Sequence, residues 1–259
     1  MSRISDAFAA NKAFVGYVMG GDPSIENTEA FILSMASSGA NIIEIGIPFS
    51  DPIAEGVVIQ RANIRALSVG TTMEMLFDMT LRLRTQIDTP FVFLTYLNPV
   101  FRYGYDAFCQ KCAKSGVDGV IIPDMPYEEQ GEISGYCAKY NVDLIPLVAP
   151  TSNDRIRAIA KSAHGFLYMV SSMGVTGERA KITSDLAGMV ALAKSASDIP
   201  IAVGFGVHTP VQAAEIAQIA DGVIVGSAFV SIIEKYGANA AAYVGEYTSA
   251  MKRAIANHL

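Results

Sequence analysis

Two textures alternate along the chain. Short runs of β-branched and other apolar residues occupy positions 14–19, 42–47, 91–96, 119–122, 144–148, 166–170, 201–203 and 222–225. Each is followed by a longer segment whose apolar residues recur at helical spacing. The runs are near-continuously apolar, as parallel strands covered on both faces should be. In the segments between them, Phe31 pairs with Met35 and Ile32 with Ala36, while Phe108 pairs with Cys112 and Cys109 with Ala113. Ile156, Ile159 and Ala160 share a third apolar face. Thr209 followed by Pro210 has the form of an N-cap with proline at the first helical position. Gly39 and Gly116 fall where two helices should stop. Eight such units predict an α/β fold of the TIM (β/α)8 barrel type, with residues 1–259 as a single domain. The competing open, doubly wound sheet would want a G-x-G-x-x-G turn after its first strand, and none is present there.

In a barrel of this kind the chemistry belongs to the carboxyl ends of the strands and the loops that follow. Two of those connections are long and contain glycine, at 48–56 and 171–179, and both are lid candidates. The last two strands end in Val203-Gly204-Phe205-Gly206 and Val225-Gly226-Ser227-Ala228, the second leading into an apolar helical turn. Glycine lets backbone N–H groups approach a ligand, and a helix starting near Ser227 would aim its positive end outward. That combination predicts a phosphate site that needs no lysine.

Glu44 is embedded among isoleucines in the second run. A carboxyl there must be paired, protonated or functional, and one facing the barrel mouth would have a raised pKa suited to proton transfer near neutrality. Glu55 follows in the 48–56 loop as a second, less rigid carboxyl. Tyr168 alternates with Phe166 and Val170, so one orientation brings its hydroxyl into the mouth; Tyr96, Asn98 and Asp124 end neighbouring strands.

The bulk composition narrows the picture in three ways. With a net charge of −6 and no basic run, nucleic acid is an unsuitable partner. An anionic ligand must be held by local dipoles instead of by the overall field. The amino terminus has no secretory pattern, and three cysteines cannot build a disulfide framework, so a cytoplasmic setting is expected. Cys109-x-x-Cys112 falls within a helical pattern and reads as core packing. His164, His208 and His258 have no ligand spacing, so no metal is expected.

Together these pieces resemble a known family. The run Glu44-Ile45-Gly46-Ile47-Pro48-Phe49-Ser50-Asp51-Pro52, followed by Gly174-Val175-Thr176-Gly177, Gly204-Phe205-Gly206 and Gly226-Ser227, closely resembles the tryptophan synthase alpha subunit family. Gly21-Asp22-Pro23, Tyr96-Leu97-Asn98 and Asp124-Met125-Pro126 extend the likeness in order from about residue 10 to 235. The resemblance implies cofactor-free retro-aldol cleavage of indole-3-glycerol phosphate to indole and D-glyceraldehyde 3-phosphate, within an alpha2beta2 complex whose beta subunit uses pyridoxal phosphate. By the same resemblance Glu44, Glu55 and Tyr168 would be catalytic. Gly177, Gly206, Gly226 and Ser227 would cradle the phosphate, with Thr176 in the lid loop. Tyr17, Ile59, Leu94, Tyr96, Ile121 and Pro123 would line the indole pocket, and Pro48, Asp51 and Pro126 would meet the partner. One departure stands out: the family usually continues Ala-Asp-Gly-Pro, and here the chain reads Ala54-Glu55-Gly56-Val57. It keeps open two alternatives, a stand-alone lyase and a catalytically weakened allosteric binding subunit.

Overall fold

The computed structural model describes residues 2–9, 11–170, 179–204 and 206–256, and of 179–185 only the backbone. Its strands are β1 (Ala13–Met19), β2 (Ile42–Gly46), β3 (Phe91–Leu94), β4 (Gly119–Ile121), β5 (Asp143–Leu144), β6 (Leu147–Val148), β7 (Leu167–Val170), β8 (Ile201–Gly204) and β9 (Gly222–Val225). All pair in parallel, in the order β5-β4-β3-β2-β1-β9-β8-β7-β6. The two ends of that order are halves of one apolar run. Between them, Ile145 N–H donates to the Val120 carbonyl at 2.9 Å, and Tyr168 N–H donates to the Pro146 carbonyl at 3.0 Å. The ring therefore closes through Ile145-Pro146, and the fold is a TIM barrel with eight strand positions. The sequence pattern predicts one unbroken strand over 144–148. Pro146 interrupts it, because a proline has no N–H to give to a ladder.

The helices are α1 (Arg3–Ala9), α2 (Ile25–Ser37), α3 (Val57–Ser68), α4 (Met73–Arg84), α5 (Leu97–Tyr103), α6 (Tyr105–Ser115), α7 (Gly131–Tyr140), α8 (Asn153–Ser162), α9 (Arg179–Lys194), α10 (Pro210–Ala217), α11 (Ser227–Tyr236) and α12 (Ala241–Ala256). Two of the expected signals bound their helices. Thr209 and Gln212 form a reciprocal capping box at the start of α10, and Gly116 ends α6 at φ 77°. The third strand is shorter than its apolar run, because Tyr96 already serves as the N-cap of α5. Cys109, Cys112 and Cys137 are buried free thiols, with the sulfurs of Cys109 and Cys137 3.6 Å apart between α6 and α7. Among the described residues no helix is long and apolar enough to cross a membrane.

Alternation along each strand builds two concentric cores. Outward-facing Phe14, Ile43, Phe93, Leu167 and Val223 pack with the helices in one large cluster. Inward-facing Val15, Ile42, Val92, Ile121, Ile145, Phe166, Ala202 and Ile224 fill the barrel. The amino-terminal helix closes the bottom of that inner core. Its Ile4 is wholly buried there, and the ring of Phe8 lies 5.5 Å from that of Phe166. Arg3 bonds Asp118 at 2.9 Å, which fastens the plug from outside.

Candidate active site

At the opposite end the inner layer changes character. Register sets Tyr17 on β1 beside Glu44 on β2, and Tyr168 rises from β7. Two strand glycines give the tyrosines space. A Cβ at Gly46 would come within 2.2 Å of the Tyr17 hydroxyl oxygen, and one at Gly204 within 2.6 Å of that of Tyr168. Glu44 is 2% exposed, and its Oε2 has no hydrogen-bond partner. Burial raises its pKa to about 8, and the nearby carboxyl of Glu55 adds to the effect. The acid form is thus held up to neutral pH, and no lysine or arginine stands among the described residues that line the site. Burial also raises the hydroxyl pKa values of Tyr17 and Tyr168.

The loop carrying Glu55 is fastened at several points. Asn63 on α3, itself 2% exposed, accepts from Phe49 N–H at 2.8 Å and donates to both the Glu55 carboxylate and the Ile59 carbonyl. The Tyr96 hydroxyl accepts from Ala54 N–H at 3.2 Å, and Gln60 donates to the Glu55 carbonyl at 2.8 Å. The Phe49 and Tyr96 rings lie 5.3 Å apart. Burial raises the Glu55 pKa, with hydrogen bonding from Asn63 and Tyr96 opposing the rise.

Facing these carboxyls is the start of α11. Gly226 is its N-cap and contributes no side-chain bond, so the first N–H groups of the helix lack a cap from that residue. Gly206, at φ 77°, stands beside it. The helix is held in place by a charged chain across the barrel rim. Arg65 binds the buried Asp22 through two bonds of 2.8 and 2.7 Å and reaches Glu234 on α11 at 3.0 Å. Arg61 completes the chain with bonds of 2.7 and 2.8 Å to Glu234.

The resulting cavity has a volume of about 710 Å³ and brings together Tyr17, Glu44, Glu55, Ile59, Leu94, Tyr96, Pro123, Tyr168, Gly206, Gly226 and Ser227. Ile121 lies beneath it, in the inner apolar core. Thr176 and Gly177 lie outside the described residues. Of the expected partner positions, Asp51 and Pro126 are exposed, whereas Pro48 is buried in the chain by itself. Pro126 borders a second cavity of about 450 Å³, between the segments that follow β4 and β6. Residues that the sequence did not point to also line the main site, notably His208, Ser231, Ile232 and Tyr247. Ser231 could have been found from its position one helical turn beyond Ser227; Tyr247 comes from α12 and has no such local signal.

The profile of the family described as tryptophan synthase alpha chain matches residues 5–257. This chain belongs to the tryptophan synthase alpha chain family. The family member of Lacticaseibacillus casei is 47% identical over 255 residues, covering 98% of this chain and 96% of that one. That of Lactiplantibacillus plantarum is 48% identical, covering 98% and 97%. Among solved structures, tryptophan synthase subunit alpha of Legionella pneumophila superposes with a TM-score of 0.90 at 38% identity, covering 99% of both chains. A chain from the tryptophan synthase a2b2 complex of Pyrococcus furiosus superposes with a TM-score of 0.87 at 33% identity, covering 94% of this chain and 98% of that one. Membership in the alpha chain family connects this barrel to tryptophan biosynthesis as a lyase subunit.

Proposed function

We propose that this chain cleaves indole-3-glycerol phosphate to indole and D-glyceraldehyde 3-phosphate, without a cofactor of its own. The observation that carries the reading is Glu44: a buried carboxyl with a pKa of about 8, standing in a cavity that also holds a second carboxyl and an uncapped helix start. In the proposed reaction Glu44 in its acid form protonates C3 of the indole. Glu55 accepts the hydrogen bond of the ring N1–H as the ring loses electron density. The bond from C3 to the glycerol carbon then breaks, and the hydroxyl on that carbon gives its proton to Glu44 as it becomes the aldehyde. Protons balance, and Glu44 regains its starting form. Ile59, Leu94 and Pro123 offer an apolar slot for the ring, and Tyr17, Tyr96 and Tyr168 border it. The backbone of Gly206, Gly226 and Ser227 serves the phosphate.

The proposal extends to assembly. The Pyrococcus furiosus neighbour comes from an a2b2 complex, and we infer the same partner here, a pyridoxal-phosphate beta subunit that consumes the indole. Asp51 and Pro126 are the exposed positions offered for that contact. The test is steady-state release of indole from indole-3-glycerol phosphate, with and without a tryptophan synthase beta subunit. Slow turnover that rises strongly with the partner, and falls by about 10²–10⁴ in Glu44→Gln, is the expected result. Near-normal turnover in Glu44→Gln would sink the role of that residue. Fast turnover alone would instead make the chain an independent lyase, and binding without turnover would make it a regulatory subunit.

A further inference from the structure

The phosphate end of the cavity has an electrostatic problem. The protein is acidic overall, and its described cavity-lining side chains include the carboxyls of Glu44 and Glu55 but no lysine or arginine. A phosphate monoester entering there brings between one and two negative charges. The backbone at Gly206, Gly226 and Ser227 offers partial charges only. Among the described lining residues, one side chain can carry a full positive charge, and it is His208.

His208 is exposed, yet it is held at three points. Its N–H donates to the Gln212 side chain at 3.0 Å, within the capping box of α10. Its carbonyl accepts from the Tyr247 hydroxyl at 3.0 Å. Its ring Nδ1 lies 2.8 Å from the carbonyl of Gly206, a residue of the proposed cradle. That last contact fixes the ring chemistry. With Nδ1–H donating to the carbonyl, a neutral imidazole presents a lone pair at Nε2, and the imidazolium presents a donor. Only the charged form can give both a charge and a hydrogen bond to an anion beside Gly206.

We propose that His208 is a phosphate-binding residue: its imidazolium, steered by the Gly206 carbonyl, pairs with the phosphate ester that the backbone cradle holds. This inference rests on the phosphate-ester substrate class argued above. It adds a side-chain charge to a site otherwise made of main chain, and a selectivity for phosphorylated over neutral ligands.

The experiment is calorimetric titration of the full chain with glycerol 3-phosphate at fixed pH and ionic strength, for the wild type, His208→Gln and His208→Lys. Indole serves as the uncharged control ligand. Glutamine keeps a donor but removes the charge; lysine restores the charge. Because the ring is solvent-accessible, the expected weakening in His208→Gln is about three- to five-fold, as for exposed charge pairs. His208→Lys should recover most of it, and indole affinity should stay the same across the series. Equal glycerol 3-phosphate affinity in His208→Gln and the wild type overturns the proposal and leaves the cradle standing. So does a parallel loss of indole binding, which would mark a structural role. Failure of the wild type to bind glycerol 3-phosphate at all would remove the phosphate reading of the cavity, and this proposal with it.

Discussion

Three strands carry two opposite kinds of interior. On β1, Val15 is followed two residues later by Tyr17; on β2, Ile42 by Glu44; and before and within β7, Phe166 by Tyr168. Each step of two keeps the side chain on the inner face and moves it up one layer. The lower layer is apolar, fully packed and sealed by Ile4. The upper layer is polar, relieved by Gly46 and Gly204, and contains a carboxyl oxygen with no partner. The floor therefore holds folding energy, and the mouth holds groups that lower stability in their charged forms. Placing both on the same strands gives the reactive groups a rigid base only two residues away.

That contrast can be broken by exchanging the expected effects. Phe166→Ala removes a wholly buried ring from the floor and is expected to cost about 3–5 kcal/mol in urea unfolding. Turnover per folded molecule should change little; a loss of kcat comparable to that of a mouth variant would erase the distinction. Glu44→Gln should act in the opposite direction on stability. The folded-state pKa of about 8 lies above the ordinary carboxyl value, so the folded protein keeps a proton that the unfolded chain releases. Stability from this group is present at low pH and is lost as the pH rises toward and through 8. The variant should therefore be more stable than the wild type by about 2–4 kcal/mol at pH 9, with the gap closing near pH 4. Unfolding curves at the two pH values check it, and a pH-independent difference would refute it. Asn63→Ala lies between floor and mouth. Losing the bonds to Phe49, Glu55 and Ile59 is expected to cost about 1–3 kcal/mol. It should also lower kcat, since the Glu55 loop is released; unchanged kinetics would show that the loop holds its shape without this clamp.

Much of this was readable from periodicity, because strands covered on both faces are apolar runs and the helices between them carry their own caps. Glu44 was visible as a carboxyl among isoleucines, and its neighbour Tyr17 joined it by resemblance. Other features depend on closure of the ring, which no local pattern encodes. Ile4 looks like any residue of a short amino-terminal helix until eight strands surround it. Asn63 is an ordinary polar position of α3 until the 48–56 loop folds back on it. His208 has no metal-ligand spacing to mark it, and its bond to the Gly206 carbonyl depends on how the loop after β8 folds. Pro146 stood within an apolar run, and its missing N–H left a gap in a ladder that neighbouring carbonyl and amide groups bridge.

The pairing of β1 with β9, from Ala13 opposite Gly222 to Gly16 opposite Val225, has a consequence in time. The two strands are separated by roughly 200 residues, and synthesis proceeds at about 5–20 residues per second. For about ten to forty seconds of each chain's birth, β1 has no neighbour on that side and presents an open strand edge. Tyr17 and the adjoining Glu44 belong to a ring that stays open through that interval. The ribosome must deliver nearly the whole chain before the ring that surrounds the reactive group can close.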